Sequence, residues 1–198
     1  MKSPIKQPCI VLVRPQMGEN IGAAARAMWN FGLDRMRVVA PRDGWPSQKA
    51  IAMASGAGRL LDEAGHFEDV ATATADCHFT FATTARARGL TKQIYSPEDA
   101  MKLAVQKIRE GQKISILFGP ERAGLENEDV AQANALVSVP VNPDFPSLNL
   151  AQCVLLLAYE WRRASQEGTT TQLEMAKSDW ATGEETTHLA RHFEERLE

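Results

Sequence analysis

The sequence predicts an α/β fold, a mostly parallel sheet with helices on both faces, and two observations support it. Short apolar runs rich in β-branched residues alternate with longer segments of helical periodicity, over residues 1–165 of the 198-residue chain. Such alternation is typical of parallel sheets whose connecting helices cover both faces. The apolar runs also contain few charged residues, as expected for strands that are buried on both sides.

The predicted strands are apolar segments bounded by residues that break regular structure. In chain order they are residues 9–13, 36–40, 78–83, 113–118 and 136–141. Pro41 ends the second strand and begins a loop over residues 41–46. The last strand runs into a proline-rich stretch, residues 139–146. Such a stretch is rigid and poor in N–H donors, which suits the wall of a pocket.

The predicted helices follow from apolar spacing and from residues that start or stop a helix. In chain order they are residues 19–31, 47–64, 67–75, 97–110, 126–133 and 148–163. Gly32 ends the first helix, whereas Gly56 and Gly58 predict a break within the second. Ser96 and Pro97, followed by two acidic residues, form a typical helix start.

Two parts of the chain are predicted from this alternation. Residues 1–165 form one α/β domain, and residues 166–198 form a linker with a weakly helical C-terminal extension.

The extension is acidic, with seven acidic and three basic residues in 174–198, which leaves the rest of the chain near neutral. A contact with nucleic acid therefore requires a local basic patch. The best candidate is residues 83–92, with three basic residues and no acidic one, although a solvated loop explains them equally well.

Several classes of protein are disfavoured by the sequence. Its apolar runs are too short or too charged to span a membrane, and the N-terminus lacks the pattern of a signal peptide, so we expect a cytoplasmic protein. Cys9, Cys77 and Cys153 are widely separated, and this spacing favours buried thiols over a disulfide framework or a zinc site. We expect no metal.

Three separated segments combine small residues with polar groups at predicted strand-to-helix junctions. They are residues 20–26 (NIGAAAR), 117–125 (LFGPERAGL) and 146–150 (PSLNL). In α/β proteins such junctions are where ligands bind. The sequence contains neither a Walker A loop nor a GxGxxG fingerprint, which disfavours a nucleotide triphosphatase and a Rossmann dehydrogenase.

Each polar residue in these segments has two interpretations. Asn20 and Ser147 suit the N-caps of their helices, or they face a ligand. Asn149, expected inside the first helical turn, is able to form hydrogen bonds on two sides. Arg26 is either a surface residue or is aimed at a carboxylate or phosphate, and Glu121 is its natural partner if the sheet brings the segments together.

The three segments, in this order, resemble the motifs of the SPOUT superfamily of RNA methyltransferases, in its SpoU/TrmH branch. The resemblance covers about residues 8–165, and Thr83-Thr84-Ala85-Arg86-Ala87-Arg88 further resembles the TrmJ group. That group methylates a ribose 2′-hydroxyl in the tRNA anticodon loop, at the nucleotide conventionally numbered thirty-two. The resemblance implies a C-terminal trefoil knot, S-adenosyl-L-methionine as methyl donor, and a homodimer with sites between subunits.

The resemblance also assigns roles to residues of this chain. The catalytic group comprises Asn20, Arg26, Glu121, Ser147 and Asn149. The methyl donor is expected against Thr83, Thr84, Ala85, Gly119, Val139, Pro146, Ser147 and Leu148. RNA is expected against Arg26, Arg86 and Arg88. Two features depart from the family pattern. Relatives can have a serine at the position of Pro146, and TrmJ-like chains usually continue further at the C-terminus.

The implied reaction is an in-line attack of a ribose oxygen on the sulfonium methyl group. Because a guanidinium remains charged, Arg26 is expected to hold a phosphate and stabilise the developing alkoxide rather than accept the proton. An RNA phosphate, or Ser147 with water, accepts it. Two alternatives stay open: methylation of another RNA such as rRNA, and an RNA-binding module without catalysis.

Overall fold

The computed structural model describes residues 6–84, 92–166 and 181–197. The strands within these ranges are β1 Cys9–Val13, β2 Met36–Val39, β3 Gly65–Phe67, β4 Phe79–Thr83, β5 Ile94–Tyr95, β6 Ile114–Phe118 and β7 Ala135–Val137. The helices are α1 Gly18–Asn30, α2 Gln48–Ala54, α3 Gly58–Asp62, α4 Val70–Thr74, α5 Pro97–Arg109, α6 Asn127–Gln132, α7 Leu150–Ser165 and α8 Gly183–Leu197.

The strands form one sheet in the order β3-β2-β1-β6-β4-β7-β5, and each pairing between neighbours is parallel. The residues of β1 and β6 are all buried, as expected for central strands covered on both faces. Apart from the polar Ser115, their side chains alternate between two apolar clusters, one on each face of the sheet. The α/β fold with a mostly parallel sheet is therefore confirmed.

The two faces carry different helices. One cluster combines strand residues such as Ile10 and Leu12 with side chains of α1, α5 and α7. The other combines Val11 and its neighbours with Val70 of α4 and Val130 of α6. Because the strand pairings are parallel, the loops that leave the carboxyl ends of the strands emerge at one edge of the sheet.

Two short strands were not predicted, and both lie at the edges of the sheet. Residues 67–75 were predicted as one helix, but Gly65–Phe67 forms β3 and the helix begins only at Val70. The two-residue strand β5 follows residues that the structure does not describe. Strands this short and half-exposed carry too few residues for an apolar pattern to be visible.

Helices α1 and α2 approach each other closely because small residues line their contact. Gly22 on α1 faces α2, where an added Cβ atom would overlap the carbonyl oxygen of Ala50 and lie 2.9 Å from the Cβ of Met53. The predicted break follows α2, where Ser55 and Gly56 both have positive φ angles, of 44° and 93°. Helix α2 therefore ends at Ala54, and α3 begins after this turn, at Gly58.

Helix α8 belongs to a second compact unit, Gly168–Glu198, separate from Met1–Glu167. It begins with reciprocal hydrogen bonds, in which Thr182 N–H donates to Glu185 Oε2 and Glu185 N–H donates to Thr182 Oγ1. Such a capping box explains why the helix starts there. The domain boundary at residue 165 and the trefoil knot stay predictions. None of the helices in the described part of the chain is long and apolar enough to cross a membrane.

The close contact of α1 with α2 predicts a steric effect at Gly22. Replacement by alanine forces the α2 backbone away, and we expect the free energy of unfolding to fall by roughly 1–3 kcal/mol. The matched control is Gly58→Ala, since a Cβ atom there meets nothing within 4 Å. Urea unfolding followed by circular dichroism measures both variants. Equal stability of the two would contradict the packing described for α1.

Candidate active site

The three sequence segments meet at one edge of the sheet, beyond the carboxyl ends of β1, β6 and β7. The first follows β1 and forms the start of α1, the second follows β6, and the third precedes α7. Because β1 pairs with β6, and β6 is joined to β7 through β4, the loops from these parallel strands lie side by side. The edge is where ligands bind in sheets of this kind.

A pocket of about 210 Å³ lies at this edge. Its walls come from the ends of β4, β6 and β7, from the loop after β6, and from the start of α7. Seven residues that the resemblance assigns to the methyl donor line it: Thr83, Thr84, Gly119, Val139, Pro146, Ser147 and Leu148. The eighth, Ala85, lies outside the described residues, as do Arg86 and Arg88.

Other residues of the pocket were not predicted. They are Phe118, Pro120, Arg122, Ala123, Gly124, Leu125, Val137, Val141, Leu150 and Cys153. Apart from Arg122 they are apolar or small, and their local sequence differs little from that of ordinary core residues. Burial raises the pKa of the Cys153 thiol to about 12, so this side chain is a neutral part of the wall.

The loop after β6 folds back tightly on itself. An added Cβ atom at Gly119 would overlap the backbone of Gly124 and Leu125, and Gly124 N–H donates to Pro120 O at 2.9 Å. Gly124 has a φ of 67°, a conformation that favours glycine. The two glycines therefore allow a compact turn that presents Glu121.

Glu121 is the centre of a hydrogen-bond network that joins all three segments. Its Oε1 accepts from Asn20 Nδ2 at 2.7 Å, and its Oε2 accepts from the backbone N–H of Gln16 at 3.0 Å. Asn149 Nδ2 in turn donates to Asn20 Oδ1 at 3.0 Å. The opposite end of Asn149 accepts from Ala151 N–H at 2.9 Å and so caps α7.

The structure excludes the capping interpretation of two residues of these segments. Asn20 does not cap α1, because the helix begins earlier, at Gly18, after Met17, whose side chain makes no capping bond. Ser147 does not cap α7, because the helix begins at Leu150 and its cap is Asn149. Asn20 instead bonds to Glu121 and Asn149, and Asn149 caps α7 while it bonds to Asn20.

The predicted pairing of Arg26 with Glu121 is wrong. The carboxylate of Glu121 is engaged by Asn20 and Gln16, whereas Arg26 is exposed on α1. Arg26 lines no part of the pocket and makes no hydrogen bond or ion pair with another described residue. Within one chain, the structure therefore gathers four of the five predicted catalytic residues and leaves the arginine outside.

A second structural anchor holds the loop after β6, and the sequence did not reveal it. Arg14, with a positive φ of 47°, follows β1 and reaches the buried carboxylate of Asp129 on α6 through both of its terminal nitrogens. Asp129 Oδ2 also accepts from Glu126 N–H at 2.8 Å. Because α6 follows directly on the loop, the pair fixes the far end of the segment that carries Glu121.

One residue of the predicted basic stretch forms hydrogen bonds within the protein. Lys92, from the basic stretch considered for RNA, donates to the carbonyl oxygens of Ala131, at 2.8 Å, and Ala133 at the end of α6. A cation is favourable at this end of a helix.

Among the residues that the structure describes, no group of three or more histidine, cysteine, aspartate or glutamate side chains is placed to hold a metal ion.

Known structures share this fold. A crystal structure described as TrmJ from Z. mobilis ZM4 is 51% identical, with a TM-score of 0.75 over 97% of this chain and 80% of that one. AviRb from Streptomyces viridochromogenes, in complex with AdoMet, is 20% identical, with a TM-score of 0.61 over 81% of this chain and 59% of that one. The fold is that of the SPOUT class of RNA methyltransferases.

The sequence comparison narrows the class. The model of the SpoU rRNA methylase family matches residues 7–159, and the chain belongs to that family. A curated relative from Pseudomonas aeruginosa (strain UCBPP-PA14), named tRNA (cytidine/uridine/adenosine-2′-O-)-methyltransferase TrmJ, is 33% identical over 196 residues. The alignment covers 95% of this chain and 76% of that relative. The chain is thus an RNA methyltransferase, as the sequence segments predicted.

The network predicts that Glu121→Gln is damaging although the two side chains have the same shape. A glutamine amide has one acceptor and one donor, so either Asn20 Nδ2 or Gln16 N–H would face a donor. We expect the free energy of unfolding to fall by roughly 1–3 kcal/mol, measured by differential scanning calorimetry. Glu68→Gln, at an exposed carboxylate without a side-chain bond to the described residues, is the control. A loss no greater than in the control would refute the network.

Proposed function

We propose that this chain transfers a methyl group from S-adenosyl-L-methionine to a ribose 2′-hydroxyl of tRNA, in the anticodon loop at the nucleotide conventionally numbered thirty-two. The observation that carries the proposal is the network of Glu121, Asn20 and Asn149, which joins the three motif segments beside one pocket. The name of the Pseudomonas aeruginosa relative, which specifies the tRNA 2′-oxygen, supports the substrate.

The pocket suits the methyl donor by its chemistry. Thr83, Thr84 and Val139 near the strand ends offer backbone and apolar contacts, and Gly119 belongs to the compact loop that forms another wall. S-adenosyl-L-methionine supplies the electrophilic methyl group when bound. AviRb, which has the same fold, is seen with this molecule.

Asn20, Glu121 and Asn149 are proposed to position the site rather than to exchange protons. Each amide of the two asparagines is used at both its oxygen and its nitrogen, and the carboxylate of Glu121 accepts from two donors. Groups so engaged have little capacity left for a substrate proton. Ser147 lines the pocket and has no bond to another described residue, so its hydroxyl is free to face the reacting ribose.

Arg26 is proposed to act on the pocket of a second copy. It is exposed on α1 and outside the pocket of its own chain, yet the reaction needs a cation that holds a phosphate and stabilises the developing alkoxide. The proton then passes to an RNA phosphate oxygen or to water at Ser147. Arg86 and Arg88 are proposed to extend the phosphate contacts.

An exposed apolar surface on α1 and α7 supports the homodimer. Trp29 is 46% exposed, and Leu155, Leu156 and Tyr159 on α7 are 38%, 37% and 47% exposed. Since α7 residues three and four apart lie on one face, these side chains form a continuous surface, joined to α1 by the contact of Tyr159 with Phe31. Arg26 is one helical turn from Trp29, so a second copy seated here comes close to Arg26.

The test is methyl transfer from labelled S-adenosyl-L-methionine to unmodified tRNA, mapped by nuclease digestion and mass spectrometry. We expect one 2′-O-methylated nucleotide in the anticodon loop, at position thirty-two. Transfer to rRNA instead would keep the enzyme class and refute the tRNA substrate. That alternative is favoured by the family, which is described as an rRNA methylase family. Absence of transfer to both RNAs would refute the proposal, and membership of a methyltransferase family disfavours the non-catalytic alternative.

The dimer predicts complementation between two inactive variants. Arg26→Ala keeps its pocket, whereas Cys153→Phe keeps Arg26 but fills the pocket wall, with Cys153→Ser as the matched control that keeps the pocket open. When the two are co-expressed with different tags, each heterodimer has one complete site if Arg26 acts across the interface. We expect about a quarter of wild-type activity from a random mixture, since half the dimers are mixed. Activity no higher than that of the separate variants would place Arg26 on the pocket of its own chain.

A further inference from the structure

Phe145 is the most exposed large apolar side chain among the residues that the structure describes, with 75% of its surface accessible. Exposed aromatic residues are common on protein surfaces and by themselves indicate nothing. The position of Phe145 is unusual, however, because it directly precedes Pro146 and Ser147, which line the pocket. It therefore lies next to the pocket wall along the chain.

The backbone that carries Phe145 is held in a defined turn. Phe145 N–H donates to the carbonyl oxygen of Asn142 at 3.0 Å, and Asp144 N–H donates to the side-chain oxygen of Asn142 at the same distance. Pro143 and Pro146 restrict the backbone on both sides. The aromatic ring is thus presented to solvent by a bonded, proline-flanked turn, and little conformational freedom is lost when it meets a partner.

The surroundings of the ring favour a flat polar partner over an apolar protein surface. Within residues 138–149, Phe145 is the single large apolar side chain that is exposed, and its neighbours Asn142, Asp144 and Ser147 are polar and exposed. Arg122, also exposed, lines the same pocket. Proteins bind unstacked bases of single-stranded nucleic acid with exposed aromatic rings, and guanidinium groups add to such sites.

We propose that Phe145 stacks on an unpaired base of the RNA substrate, next to the ribose that enters the site, and so positions the target nucleotide. The inference rests on the proposed function, because it assumes an RNA loop as substrate. Every base has a π-face, so stacking contributes affinity and orientation without selecting one base. Phe145 is therefore a positioning group for the RNA, and binding of the methyl donor does not depend on it.

The test compares Phe145→Ala, Phe145→Leu and Phe145→Trp with wild type on an unmodified tRNA transcript. We expect kcat/KM to fall roughly ten- to a hundred-fold in the alanine and leucine variants, since both lose the planar face, and to stay near wild type with tryptophan. Affinity for S-adenosylhomocysteine, measured by calorimetry, should change less than two-fold in all three. Ile51→Ala, at a 45% exposed side chain on α2, is the control for loss of surface apolar area.

A second readout does not depend on turnover. 2-Aminopurine placed beside the target nucleotide should lose fluorescence on binding to wild type, and should keep it with Phe145→Ala. Full activity of the leucine variant would show a plain apolar contact and overturn stacking. Dissociation of the Phe145→Ala dimer in analytical ultracentrifugation would assign the ring to a protein interface and overturn it too. Failure of the wild type to methylate any RNA refutes the proposed function itself, which separates the two results.

Discussion

The candidate site depends on one chain of side-chain hydrogen bonds, from Asn149 through Asn20 to Glu121. The three residues come from segments that are 101 and 129 positions apart along the chain. Each bond alone contributes about 1 kcal/mol, but together they hold the start of α1, the loop after β6 and the start of α7 in one arrangement. Asn149 also caps α7, so the helix cannot shift without breaking the link to the other segments.

The sheet makes this arrangement possible, and two local devices refine it. Parallel pairing brings the carboxyl ends of the strands to one edge, so that the polar residues after them face each other. Gly119 then lets the loop fold against its own backbone, and Arg14 fixes the far end of that loop through Asp129. The loop after β6, which forms one wall of the pocket, is therefore fixed at both of its ends. A ligand site requires residues that are held in place in this way.

The placement of Arg26 suggests how chemistry and assembly are connected. The pocket and its positioning network lie within one chain, while the arginine stands on an outer face of α1 beside exposed apolar residues. A second copy that covers these residues would bring the Arg26 cation to its pocket, where Arg122 is already part of the wall. The turn that presents Phe145, next to pocket residues Pro146 and Ser147, offers a surface for an RNA base. Substrate recognition would then be shared between a rigid turn, a basic segment and the neighbouring copy.

The sequence alone determined the α/β fold, the order of the main strands and helices, and the residues of the three segments, because apolar periodicity, helix caps and glycine positions are local signals. Local signals also explain what failed. The edge strands β3 and β5 are too short to show a pattern, and the local sequence of Asn20 and Ser147 allowed a capping interpretation that the structure excludes. Only the tertiary structure decided that Glu121 pairs with Asn20 rather than Arg26, and that Arg14 reaches Asp129, 115 residues away. A charged or amide side chain has several suitable partners in any sequence, and the partner it obtains depends on which strand ends the parallel sheet places side by side.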